Sequence, residues 1–147
     1  MMAKGKKTGS EVTRGIRWTA RIWGGLVFLI ALLILLGYGW NWVTTGEADP
    51  HAAEDYPPIE NLPPILMFLA ALGLAIAWRW EGLGGAITVV CQLVSLPVLL
   101  IHWPIGEGFP RYLVAPYGTW VIVALPGILF LASWWRSREP ETPVTAA

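Results

Sequence analysis

Four long apolar runs, Ile22 to Val43, Leu62 to Trp80, Leu83 to Trp103 and Leu113 to Trp135, leave this chain little material for anything but membrane-crossing helices. Each run is near or above the ~20 residues that carry a helix across about 30 Å of hydrocarbon at 1.5 Å per residue. With 55% apolar and 14% charged side chains in 147 residues, one small all-α membrane domain is the expectation, with no room for a separate soluble one.

The formal net charge of zero hides a lopsided distribution. Laid across a bilayer, the four runs put Lys4, Lys6, Lys7, Arg14, Arg17, Arg21, Arg79, Arg136 and Arg138 on one side and Arg111 alone on the other. Five acids, Glu47, Asp49, Glu54, Asp55 and Glu60, gather in or at the end of the loop between the first two runs. The bias of basic residues toward the cytoplasm then predicts a four-helix bundle with both termini cytoplasmic. The expected organisation is a basic tail over residues 1–21, a bundle over 22–135 with an acidic outer loop at 44–61, and a second cytoplasmic tail over 136–147. The first tail, with little apolar periodicity before Ile16, is expected to be mobile or to lie along anionic headgroups. The first apolar run is too long, and too poor in small residues at its end, for a cleaved secretory signal.

Tryptophan placement agrees with this arrangement. Trp18, Trp23, Trp78, Trp80, Trp134 and Trp135 fall at the inner boundary, and Trp40, Trp42, Trp103 and Trp120 toward the outer one, where the amphipathic indole belongs. Asn61 is expected to cap the second helix, with proline in its first turn. Glu81-Gly82 is expected to be the tight turn between the second and third helices. Proline and glycine near Tyr117 suggest that the fourth helix starts inside its apolar run, nearer Thr119.

Inside the spans, Ala70, Gly73 and Ala77 recur on one helix face, with Gly82 and Ala86 expected to continue the contact across the hairpin and Ala124 with Gly127 to form a smaller notch on the last helix. Pro97 and Pro126 each remove a backbone donor and are expected to kink their helices, with Ser95 assisting at the first. No ionisable group lies at mid-depth between the flanking charges. Only Asn41, Thr88, Cys91, Gln92, Ser95, Thr119 and Ser133 offer polarity there, which speaks against a proton relay or an ion-coupled carrier. Cys91, the single cysteine, reads as a small buried apolar residue.

No phosphate-binding loop, zinc-protease helix or nucleophile elbow occurs, so an enzyme is not expected. Nor does the basic tail carry the aromatic interleaving of a nucleic-acid module. Two weaker candidates remain. His102 could ligate a haem or chlorin, although a lone histidine beside Trp103 is more often an interfacial hydrogen-bonding residue. Asp49, His51, Glu54 and Asp55 could hold a divalent cation, although a solvated acidic loop is the better expectation.

The block Ala77-Trp78-Arg79-Trp80-Glu81-Gly82-Leu83-Gly84-Gly85 and the approach Arg14-Gly15-Ile16-Arg17-Trp18-Thr19-Ala20-Arg21-Ile22 resemble a family of small, uncharacterised four-helix bacterial membrane proteins with a Trp-x-Trp-Glu-x-x-Gly-Gly turn. The resemblance implies the fold and a bacterial inner membrane, and brings no activity with it. The acidic, proline-rich outer loop is longer than that group's usual connection. By subtraction the expected role is a non-enzymatic accessory or scaffold subunit of a larger, possibly bioenergetic, membrane complex. It needs no cofactor, and its partners are the lipid bilayer and other membrane subunits or a second copy. The alternatives are a small-solute or ion pathway opened at the proline kinks, and a haem- or pigment-binding subunit.

Overall fold

The computed structural model describes residues 4–46, 58–104, 114 and 116–138, and is all-helical over them. Four helices account for nearly all of these residues: α1 (Lys4–Thr45), α2 (Leu62–Ala77), α3 (Glu81–His102) and α4 (Tyr117–Arg136), with a short 3-10 turn at Pro58–Asn61 leading into α2. Three of them, α1, α3 and α4, are long and apolar enough to cross a membrane; α2 is a shorter apolar helix. At 16 residues α2 spans about 24 Å, because the chain leaves it at Ala77 and not at Trp80.

Helix α1 departs most from the sequence-based expectation. It is one helix of 42 residues, about 63 Å long, so the segment expected to be a mobile tail is helical from Lys4 onward. Once a helix is nucleated each added residue brings its own hydrogen bond, which lets a polar sequence extend one that an apolar span has already formed. The boundary at residue 21 also moves. Ala20 is fully buried in the same cluster as Val27, Ala70, Leu74, Ala77, Val123 and Phe130, so the last turns of the basic segment belong to the bundle.

The α2–α3 hairpin turns at Trp78–Trp80. Trp78, Arg79 and Trp80 donate backbone N–H bonds to Ala75 and Ile76, and Gly84 N–H to Trp80 C=O opens the next helix. Glu81 and Gly82 are therefore the first residues of α3 and not the turn. An acid in that first turn suits the positive end of the helix dipole. Asn61 does occupy the cap position of α2, with proline directly after it, but makes no side-chain cap bond. The 3-10 turn holds Asn61 at φ −78°, ψ −13°, whereas a capping side chain needs an extended backbone to fold over the first amides.

Helices α2 and α3 meet through backbone. A Cβ at Gly73 would lie 2.7 Å from Thr88 Oγ1 and 3.0 Å from the Gly84 carbonyl oxygen, and one at Gly84 would overlap Ala77 N and the Gly73 carbonyl oxygen. Thr88 Oγ1 sits 2.9 Å from Ala70 C=O across the interface and 3.0 Å from Gly84 C=O in its own helix, sharing its single proton between the two. Ala70, Gly73 and Ala77 are all buried here, but the facing residues are Gly84 and Thr88. Gly82 instead faces the Trp134 indole of α4, and Ala86 is only half-buried. On the other side of α3, Gly85 approaches the Gly127 carbonyl oxygen of α4, and Gly127 lies against the Thr88 methyl, so that α3 is gripped on two faces.

Both prolines lie within continuous helices, Pro97 in α3 on an exposed face and Pro126 in α4, buried. Ser95 does not serve the carbonyl that Pro97 frees, that of Leu93. Its hydroxyl donates to the Gln92 carbonyl at 2.9 Å. Trp120 reaches the same carbonyl, the Nε1 of its half-buried indole donating at 2.8 Å. The start of α4 at Tyr117 lies inside the apolar run, as its proline and glycine suggest, with the Tyr117 hydroxyl donating to Trp103 C=O at 2.7 Å.

Candidate functional site

The densest polar constellation among the described residues lies at the end of the bundle where α1 passes the hairpin. Arg17 and Arg21 are four apart on α1 and so share a face. Arg17 Nε is 2.7 Å and Arg21 Nη2 3.3 Å from the same carboxylate oxygen, Oε1 of Glu81. The other oxygen, Oε2, accepts from the Ser133 hydroxyl of α4 at 3.0 Å. One carboxylate at the first position of α3 thus ties three helices together. It is the more buried partner, 12% exposed against 37% and 34% for the two arginine side chains. Arg21 donates a hydrogen bond from Nη2 to Oε1, whereas Arg17 Nε, buried and outside hydrogen-bonding geometry, is held to the same oxygen by charge.

Sequence reasoning placed none of these residues in a site. Glu81 read as a turn residue and Arg17 and Arg21 as part of a solvated tail. A signal was present in the chain. Glu81 is an acid directly beside an apolar run whose neighbouring charges are otherwise basic, and the Arg-x-x-x-Arg spacing abuts the first apolar run. A lone carboxylate against that much positive charge has a partner close at hand.

Of the candidates read from the sequence, His102 is half-buried at the far end of α3. Its Nδ1 lies 3.0 Å from Val98 C=O, which can only accept, so Nδ1 carries the proton. Its ring lies 6.0 Å from that of Trp103, tilted by 45°. Asp49, His51, Glu54 and Asp55 lie outside the described residues. Among the described residues no three histidine, cysteine or acidic side chains gather as a metal site would require. Gln92 is 1% exposed, its Oε1 3.4 Å from Ser95 Oγ and its Nε2 buried without a partner. The polar side chains of the interior otherwise bond mostly to backbone, as in Thr88 to Ala70 and Ser95 to Gln92. That is the bonding of a packed helix bundle, where interhelical hydrogen bonds contribute about 0.6 kcal/mol each.

A family model described as "Domain of unknown function (DUF7670)" matches residues 8–142, which takes in all four helices apart from the first turn of α1. Neither a curated protein nor a solved structure shows a significant match to the chain.

Proposed function

The chain belongs to the DUF7670 family, and for this member we propose a non-enzymatic accessory or scaffold role in a larger complex of a bacterial inner membrane. The reading places four spans in the bilayer with both termini cytoplasmic. The observation that carries it is the far half of α1. Its near half packs on Leu74 and Phe130 through Gly24 and on Trp78 through Gly25. From Leu32 to Trp40 every residue is exposed, and among the described residues nothing lies within 4 Å of where a Cβ would stand at Gly37 or Gly39.

Two glycines in this apolar stretch weaken the helix by about 1 kcal/mol each relative to alanine, and nothing among the described residues packs against them in return. Small residues are what allow another membrane helix to come close, from a different subunit or from a second copy. Lipid covers the remaining apolar surface. Gly37→Leu is therefore expected to leave the isolated protein at least as stable as the parent, with a gain of up to about 1 kcal/mol from helix propensity, since nothing among the described residues is touched. The same substitution should remove the higher-mass species from mass analysis of protein purified in mild detergent. A higher-mass species that survives Gly37→Leu unchanged would place the partner elsewhere, and a parent that is monomeric under the mildest extraction would defeat the scaffold reading.

Orientation has its own test. A cysteine at Ser137, exposed at the end of α4, is expected to be shielded from an impermeant thiol reagent in intact cells, and one at Thr45, exposed at the far end of α1, to be labelled. The reverse pattern would invert the topology. Cys91, half-buried within α3, gives the background.

A further inference from the structure

An open groove of about 660 Å³ runs beside the α2–α3 turn and the end of α4. We propose that it is a binding site for the headgroup of an anionic phospholipid. Arg79, from the turn, and Arg138, just beyond α4, both line it, and neither has a carboxylate partner among the described residues. Arg138 is positioned by a chain of contacts. Gly82 has no side chain, and a Cβ there would stand 2.5 Å from the Trp134 indole, so the indole lies flat against α3. The Arg138 guanidinium in turn sits 4.1 Å from the centre of that ring. Stacking of this kind holds the guanidinium plane and leaves its edge N–H groups for an oxygen ligand.

The single carboxylate in the groove does not compete for these cations, because Glu81 is already committed to Arg17, Arg21 and Ser133. The amides of Glu81, Gly82 and Leu83 precede the first hydrogen bond of α3, Gly84 N–H to Trp80 C=O, and add partial positive charge along the same wall. The rest of the wall is apolar. Trp80 is 62% and Leu83 55% exposed at the level where the indoles collect. Paired guanidinium groups beside an exposed apolar wall match a phosphate ester with a glycerol backbone and acyl chains, and suit a free phosphate less well. The inference rests on the bundle lying in a membrane with this end at the cytoplasmic leaflet, which the labelling experiment tests separately.

The measurement is binding of phosphatidylglycerol, phosphatidylcholine and inorganic phosphate to the full chain in mild detergent, by native mass spectrometry and by thermal shift. With each cation near the headgroup favouring an anionic lipid, phosphatidylglycerol should bind about tenfold more tightly than phosphatidylcholine. Arg79→Gln combined with Arg138→Gln should abolish that preference, and Arg14→Gln, an exposed basic residue of α1 outside the groove, should leave it intact. Both arginines of the pair are exposed, so the double variant is expected to fold, and an unchanged melting temperature without lipid verifies it. Equal binding of the two lipids, an equal loss in Arg14→Gln, or stabilisation by inorganic phosphate alone would each overturn the assignment.

Discussion

Gly84→Ala is expected to destabilise the α2–α3 hairpin by about 1–3 kcal/mol, although alanine is the better helix former by about 1 kcal/mol. The added methyl would overlap Ala77 N and the Gly73 carbonyl oxygen, which are backbone atoms of the neighbouring helix. A side-chain tip could rotate away, but here one whole helix has to move off the other. Separation would also break the bond from Thr88 Oγ1 to Ala70 C=O, 2.9 Å long across the same interface. Gly15→Ala is the natural comparison, because nothing among the described residues lies within 4 Å of a Cβ there and only the helix-propensity gain remains. Thermal or denaturant unfolding in detergent should show the two variants moving in opposite directions. A Gly84→Ala protein as stable as the parent would mean that the two helices are not in backbone contact.

The register of that contact shows what the sequence conceals. The small-residue face of α2 is readable, since Ala70, Gly73 and Ala77 recur at helical spacing. Its partners are not, because the height at which the returning helix meets it depends on where the chain turns. A turn at Glu81-Gly82 sets Ala77 opposite Ala86; the observed turn at Trp78–Trp80 sets it opposite Gly84 and Gly73 opposite Thr88. The earlier turn thus displaces each partner by two residues. Apolar pattern constrains α1, α3 and α4 in the same partial way. It marks the apolar core of each helix and is blind to polar extensions, so it does not display the helical run from Lys4 into the first apolar run.

The ionic cluster was hidden for a related reason. Hydropathy separates charges from spans, and Glu81, Arg17 and Arg21 all fall on the polar side of that division. Only the three-dimensional crossing of α1 over the start of α3 brings them within 2.7 and 3.3 Å. His102 ends α3, and its ring proton is directed at the backbone of its own helix, a contact that no spacing rule displays.

Glu81→Gln is expected to loosen α1 from the bundle at a cost of about 1–2 kcal/mol. Truncating one partner of a fully buried ion pair costs about 3–5 kcal/mol, because the remaining charge is stranded. With roughly a third of each arginine side chain still in contact with solvent, that figure has to be reduced for screening. The amide can still accept from Ser133, so the bond between α3 and α4 survives while the charge that held Arg17 and Arg21 is gone. The α2–α3 hairpin, joined by backbone contact, should stay intact. A cysteine pair placed between α1 and α4 should therefore cross-link more slowly in Glu81→Gln, while a pair between α2 and α3 cross-links as in the parent. If stranded charge is the cause, adding Arg17→Gln and Arg21→Gln should restore much of the lost stability, giving a triple variant more stable than the single one. A triple variant that falls further would show instead that the arginine side chains hold α1 by packing.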